Sequence, residues 1–194
     1  QVAAGTFNAN YDGALLVSDI DMTDKAWTSV EGFTSVFEGR NYSIKGLTTP
    51  LFGNNIVGTI SNVKVEANIV ETAVGKVGVI ARSLAVDGDK VGTIFNCSAE
   101  GSIEYANSAL AVTAEFDSVN IGGLVGGVYG GSVTLSESGV NITVQTAGPV
   151  NFSGEYTPCV GGVVGYAAAA GSVVPAIVEN SNNGTVVWDD NSKS

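Results

Sequence analysis

Two glycine-rich hexapeptides, IGGLVG at Ile121–Gly126 and VGGVVG at Val160–Gly165, constrain this chain more than any other feature. A looser copy, VGVIAR, stands at Val77–Arg82, and PLFG at Pro50–Gly53 reads as a shortened one. With Leu51, Ile80, Leu124 and Val163 taken as equivalent, the copies are spaced by 29, 44 and 39 residues. Self-similarity on this scale marks supersecondary units that bury their apolar faces only by stacking on one another. Competing readings of the glycines fail on chemistry. A phosphate-binding loop needs a lysine after its last glycine, and none follows Gly126, Gly127, Gly130 or Gly131. A dinucleotide fingerprint needs different spacing and a following helix. The window Cys159–Val178 is twenty residues without a charge, long enough to cross a bilayer. It holds four glycines and Pro175, is flanked by Glu155 and Glu179, and lies on a repeat copy, so no membrane span is expected.

A second element follows each glycine-rich copy: NVKVEANI from Asn62, NCSAEGSI from Asn96, ESGVNITV from Glu137 and NSNNGTVV from Asn180. Each alternates with the period of two that a strand needs when one face is buried. The inward set is read as Val63, Val65, Ala67 and Ile69; then Cys97, Ala99, Gly101 and Ile103; then Ser138, Val140, Ile142 and Val144. In the last copy it is read as Ser181, Asn183, Thr185 and Val187. A short glycine-flanked strand, a variable connection and an alternating strand thus form one unit. Stacked parallel units predict an all-β fold: a single-stranded right-handed parallel β-helix, or β-solenoid, with irregular repeat lengths. The glycines are expected at corners with positive φ and beside close-packed strands. Residues 1–13 are assigned to an N-terminal extension or cap, 14–188 to the repeat domain, with its first coil over Leu16–Leu47, and 189–194 to a C-terminal tail.

Composition agrees with this fold and narrows the function. Hydrophobic residues make up 44% of the 194 and charged residues 14%, leaving ample core and few long polar side chains. The net charge of −11 repels phosphate backbones and excludes nucleic acid as a partner. The chain has no histidine, which removes His-based acid–base and nucleophile systems.

The N-terminal half carries a more specific signal. LVSDIDMTDKAWTSV (Leu16–Val30) is followed by FTSVFEGRNYSIKGL (Phe33–Leu47) and then by the glycine-rich copies. This resembles bacterial surface proteins with the GLUG motif, common among Bacteroidetes. Asp19 to Met22, Trp27, Phe33, Phe37, Gly39, Ile44 and Leu47 fall on that pattern, as do Leu51 to Gly53, Gly122 to Gly126 and Gly161 to Gly165. Ser35, Glu38, Val79 and Arg82 depart from it. The resemblance covers roughly residues 14 to 188 and implies an extracellular or cell-surface β-solenoid, adhesin-like and part of a larger surface protein. It implies no catalytic site.

Candidate chemistry is sparse. Asp19, Asp21 and Asp24 cluster on one segment, and Asp87 and Asp89 bracket Gly88. Turns are the first reading of these carboxylates, with a calcium site as the alternative; no other cofactor is implied. Cys97 falls on the inward face and Cys159 just before the fourth glycine-rich strand, and an extracellular setting would allow one bridge between them. The long insertions Glu104–Asn120 and Gln145–Cys159 offer Tyr105, Phe116, Phe152 and Tyr156 as aromatic contacts for a sugar ring or a protein. The leading function is a non-enzymatic surface or adhesion module presenting loops to a host or matrix glycan or protein. A carbohydrate-active β-helix enzyme or its binding remnant, and a ligand-free structural stalk, are the alternatives.

Overall fold

The computed structural model describes residues 12–107, 119–146 and 158–190. Among them every regular element is a strand, and the chain builds four parallel sheets by returning to each in turn. The first sheet orders β1 (Gly13–Leu15), β3 (Val36–Glu38), β5 (Thr59–Ser61), β11 (Thr93–Phe95), β15 (Ser132–Thr134) and β19 (Ala176–Val178). The second orders β2 (Ile20–Asp21), β4 (Ser43–Leu47), β6 (Lys64–Glu71), β12 (Ser98–Asn107), β16 (Glu137–Thr146) and β20 (Ser181–Asn182), with β21 (Val186–Asp190) also on β16. The third joins β7 (Lys76–Val77), β13 (Asn120–Gly122) and β17 (Cys159–Gly161). The fourth joins β8 (Ala81–Leu84), β14 (Val125–Tyr129) and β18 (Val164–Ala168), extended by isolated parallel bridges from Val30 to Phe52 and from Phe52 to Ala81. Only β9 (Val86–Asp87) and β10 (Lys90–Val91) form an antiparallel hairpin among the named strands.

Each return adds a tier, and the register shows which residues stack. Phe37, Ile60, Ile94, Val133 and Ile177 form one inward column of the first sheet. Ile69, Ile103, Ile142 and Val186 form another in the second sheet. The equivalence of Leu51, Ile80, Leu124 and Val163 holds: the Phe52 amide donates to Ile80, the Ile80 amide to Leu124, and the Leu124 amide to Val163. Burial follows the columns. Ile60, Ile94 and Val133 are fully buried, yet Ile177 in the last tier is 41% exposed. Val186 at 46% and Trp188 at 43% repeat the pattern, so the core is uncovered at this end. Toward the opposite end the core is aromatic, although Ile20 of the first tier is itself 38% exposed. Phe52 lies 5.0 Å from Phe33 and 5.4 Å from Phe37 between ring centroids, and the Trp27 indole donates to the Leu51 carbonyl at 3.1 Å.

Four sequence expectations need correction. Leu16–Leu47 is not one coil: Gly13 pairs with Val36 and Ile20 with Ile44, so it supplies two successive tiers. The third octet is offset by two residues, Cys97 standing beside Ser136 rather than Ser138; a two-residue slip preserves the facing, so its inward set holds. The fourth is out by one. Ser138 pairs with Asn182 and Ile142 with Val186, so Asn182, Val186 and Trp188 carry the inward phase instead of Ser181, Asn183, Thr185 and Val187.

The fourth correction concerns the glycines. Within Ile121–Gly131 only Gly130 has positive φ, at 72°. The others permit close approach: a Cβ on Gly126 would stand 2.6 Å from the Val77 nitrogen, and one on Gly165 2.6 Å from the Ile121 nitrogen. The sharp corner between the first and second sheets is instead made by Asn41, Asn62, Asn96, Leu135 and Glu179, all with φ between 50° and 63°. Asparagine tolerates this region better than other non-glycine residues. It also bridges tiers here: Asn96 Nδ2 donates to Asn62 Oδ1 at 2.6 Å, and Asn62 Nδ2 donates to Glu38 Oε2 at 2.9 Å. Leu135 ends that ladder.

Two substitutions test this account by urea unfolding. Gly126→Ala drives a methyl into backbone and is expected to cost about 2–3 kcal/mol. Leu135→Asn relieves a left-handed leucine and extends the ladder, and is expected to stabilise by about 1 kcal/mol.

Candidate functional site

The expected site residues are mostly committed to structure. Asp19 Oδ1 accepts the Ser43 amide at 2.8 Å and its hydroxyl at 2.9 Å, tying the first tier to the second. Asp21 accepts the Thr23 amide at 2.9 Å and lies 3.3 Å from Lys45 Nζ. Donors from Thr23, then Lys45, hold the Asp21 carboxyl at about 2, and Ser43 lowers Asp19. Asp24 sits in a turn at φ 59°. Asp87 and Lys90 pair across the β9–β10 hairpin, whose two-residue loop starts with Gly88 at φ 59°. Among the described residues no group of three or more His, Cys, Asp or Glu could hold a metal ion.

The aromatic and cysteine expectations fare differently. Tyr105 does not belong to a loop. Strand β12 continues past the octet with unbroken alternation, and Tyr105 is buried at 1% exposure between Glu71 and Val144 of the neighbouring strands. Phe116, Phe152 and Tyr156 lie outside the described residues. No disulfide joins the two cysteines. Cys97 opens the second sheet against Ser136 and Ile60, whereas Cys159 lies in the third sheet beside Asn120, so the fold seats them on different columns. Burial pushes the Cys97 thiol up to about 11.

A surface cluster that sequence reasoning missed lies on the outer side of the third and fourth sheets. Tyr129 ends β14 and Tyr166 lies in β18, in diagonal register because Gly127 pairs with Tyr166. Their ring centroids are 5.9 Å apart with planes tilted by 48°. Gly127 makes the arrangement possible, since a Cβ there would meet the Tyr129 ring at 2.9 Å. Lys76 Nζ stands 5.4 Å from the Tyr129 centroid. Beneath it, Arg82 Nη1 donates to the Lys76 carbonyl at 2.8 Å, and Arg82 Nη2 pairs with Glu71 at 2.9 Å. Tyr166 is 39% exposed. Among the described residues only Lys76 and Arg82 are half-buried basic groups; the other five are exposed.

No family model matches the chain, and no curated protein or solved structure is significantly similar to it. The site is therefore read from its own chemistry. It offers a tilted pair of phenol rings, one ammonium and one internally paired guanidinium on a rigid parallel sheet. Such groups can stack against a ring and donate hydrogen bonds. The described residues also contain no helix long and apolar enough to cross a membrane.

The only sequence cue was alignment. VGGVY and VGYAA are equivalent strands, and each places a tyrosine on the non-core side. Attention to loops hid it.

Two measurements check the titrating groups. Thiol counting in denaturant is expected to give two per chain without reductant, and in the native state Cys97 should react far more slowly than Cys159. At Glu38, burial raises the pKa, but donation from Asn62, Arg40 and Ser61 outweighs it and the net shift is downward. A lowered folded pKa stabilises above the unfolded value, near 4.5, and that contribution disappears as pH falls through the folded pKa. Asn62→Ala should therefore flatten the pH dependence of the melting temperature below about pH 4.5.

Proposed function

We propose that the chain is a right-handed parallel β-helix of the GLUG type and acts as a non-enzymatic cell-surface module that holds a glycan or protein ligand. Four parallel sheets revisited in fixed order support the β-helix reading, and right-handed crossovers are the near-universal solution for parallel strands. The GLUG-like residues Trp27, Phe33 and Phe37, which pack together toward the N-terminal end of the core, support the family reading. An extracellular setting as part of a larger surface protein follows from that resemblance.

The observation that carries the binding role is the Tyr129–Tyr166 pair, fixed on adjacent strands with Tyr166 open to solvent. Aromatic faces on a rigid sheet bind ring-shaped ligands with little loss of side-chain entropy. The carboxylates support the non-enzymatic part. A glycosidase needs one carboxyl with a raised pKa to act as acid, whereas Asp19, Asp21 and Glu38 are all shifted down by the donors they accept.

A glycan array probed with the chain tests this proposal. Binding to at least one saccharide is expected, weakened about tenfold by Tyr166→Ala. An array left blank, with polysaccharide cleavage that Asp19→Asn or Asp21→Asn abolishes, would transfer the assignment to an enzyme.

A further inference from the structure

We infer that the Tyr129–Tyr166 face selects a saccharide carrying a single carboxylate, with Lys76 as the group that reads the charge. This rests on the binding role proposed above and names its ligand class.

The argument is electrostatic. The chain carries −11 overall, and the second sheet's outer face is net acidic: Asp19, Asp21, Glu66, Glu100 and Glu137 are exposed there against Lys45 and Lys64. The tyrosine face is different. Its one described acid, Glu71, is engaged by Arg82 at 2.9 Å, so Lys76, Arg82 and Glu71 sum to +1 locally. No carboxylate of the described residues lies within ion-pair distance of Lys76 Nζ. Arg82 instead supports it from below through the Lys76 backbone carbonyl. An ammonium held half-buried over a ring, with no counter-charge among the described residues, is arranged to receive one.

Size and charge of the ligand follow. Two phenol rings 5.9 Å apart offer a platform for one or two pyranose rings. A carboxylate on the ring seated beside Tyr129 would accept a hydrogen bond from Nζ. A densely charged polymer would gain that one contact and meet the repulsion of the remaining surface, so a sparsely charged saccharide is favoured.

The test is titration calorimetry with two singly charged probes, 3′-sialyllactose and cellobiouronic acid, against their neutral counterparts lactose and cellobiose. At least one charged probe is expected to bind at least fivefold tighter than its counterpart, with the margin shrinking as salt rises. Lys76→Gln should abolish the margin, bringing each charged probe to the affinity of its neutral counterpart; Tyr166→Ala should weaken both, with circular dichroism confirming that both variants fold. Equal binding of charged and neutral probes, still dependent on Tyr166, overturns the charge selection while leaving the binding face intact. A margin that survives Lys76→Gln overturns the role of Lys76. No binding by any of the four, with a blank array, removes both this inference and the reading it rests on.

Discussion

Parallel pairing between tiers is the constraint on which everything else rests. Strands of the first sheet are three residues long and their partners lie 23 to 44 residues away in sequence. No single strand of this length is stable alone, and no tier can bury its inward face without a neighbour. Loop-closure entropy must therefore be met before any contact repays it. Devices that fix the register, such as the asparagine corner and the backbone approach at Gly126 and Gly165, matter out of proportion to their size.

Those devices act along the stack. Glu38, Asn62 and Asn96 link three successive corners, and Asn68 and Ser102 pair across two strands at 2.9 Å. Asn141 accepts both the amide and the hydroxyl of Thr185 in the last tier. Side-chain amides satisfy one another from tier to tier much as the backbone does. A wholly apolar column needs only the right volume, whereas an amide column needs the right register. The abundance of asparagine and serine thus has a structural reason that composition alone did not disclose.

The fold was legible in the sequence where periodicity was strong. Alternation over Asn62–Ile69 and Asn96–Ile103, and the glycine-rich copies, located the second, third and fourth sheets with the correct inward face. It was less legible where strands are very short. Gly13–Leu15 and Val36–Glu38 contain too few residues to show a period, so two tiers were merged into one. Phase in the last described tier failed for a related reason: its inward residues include the polar Asn182, which gives no apolar signal. The site was least legible. Tyr105 looked like a loop residue because the repeat was cut after eight positions, and Tyr129 and Tyr166 looked like scaffold because they sit inside the repeat.

The uneven spacing of the tiers has an evolutionary consequence. From β6 to β7 the chain needs only four linking residues, but β12 to β13 and β16 to β17 are each separated by twelve, and all three connections join the second sheet to the third. The ladders on either side keep their register regardless of what is inserted there. Length and composition can drift between the second and third sheets, and also between the fourth and first, where the β9–β10 hairpin is inserted in one tier and only two residues link β14 to β15 in the next. A lineage could lengthen these connections without disturbing the architecture that holds the tyrosine face.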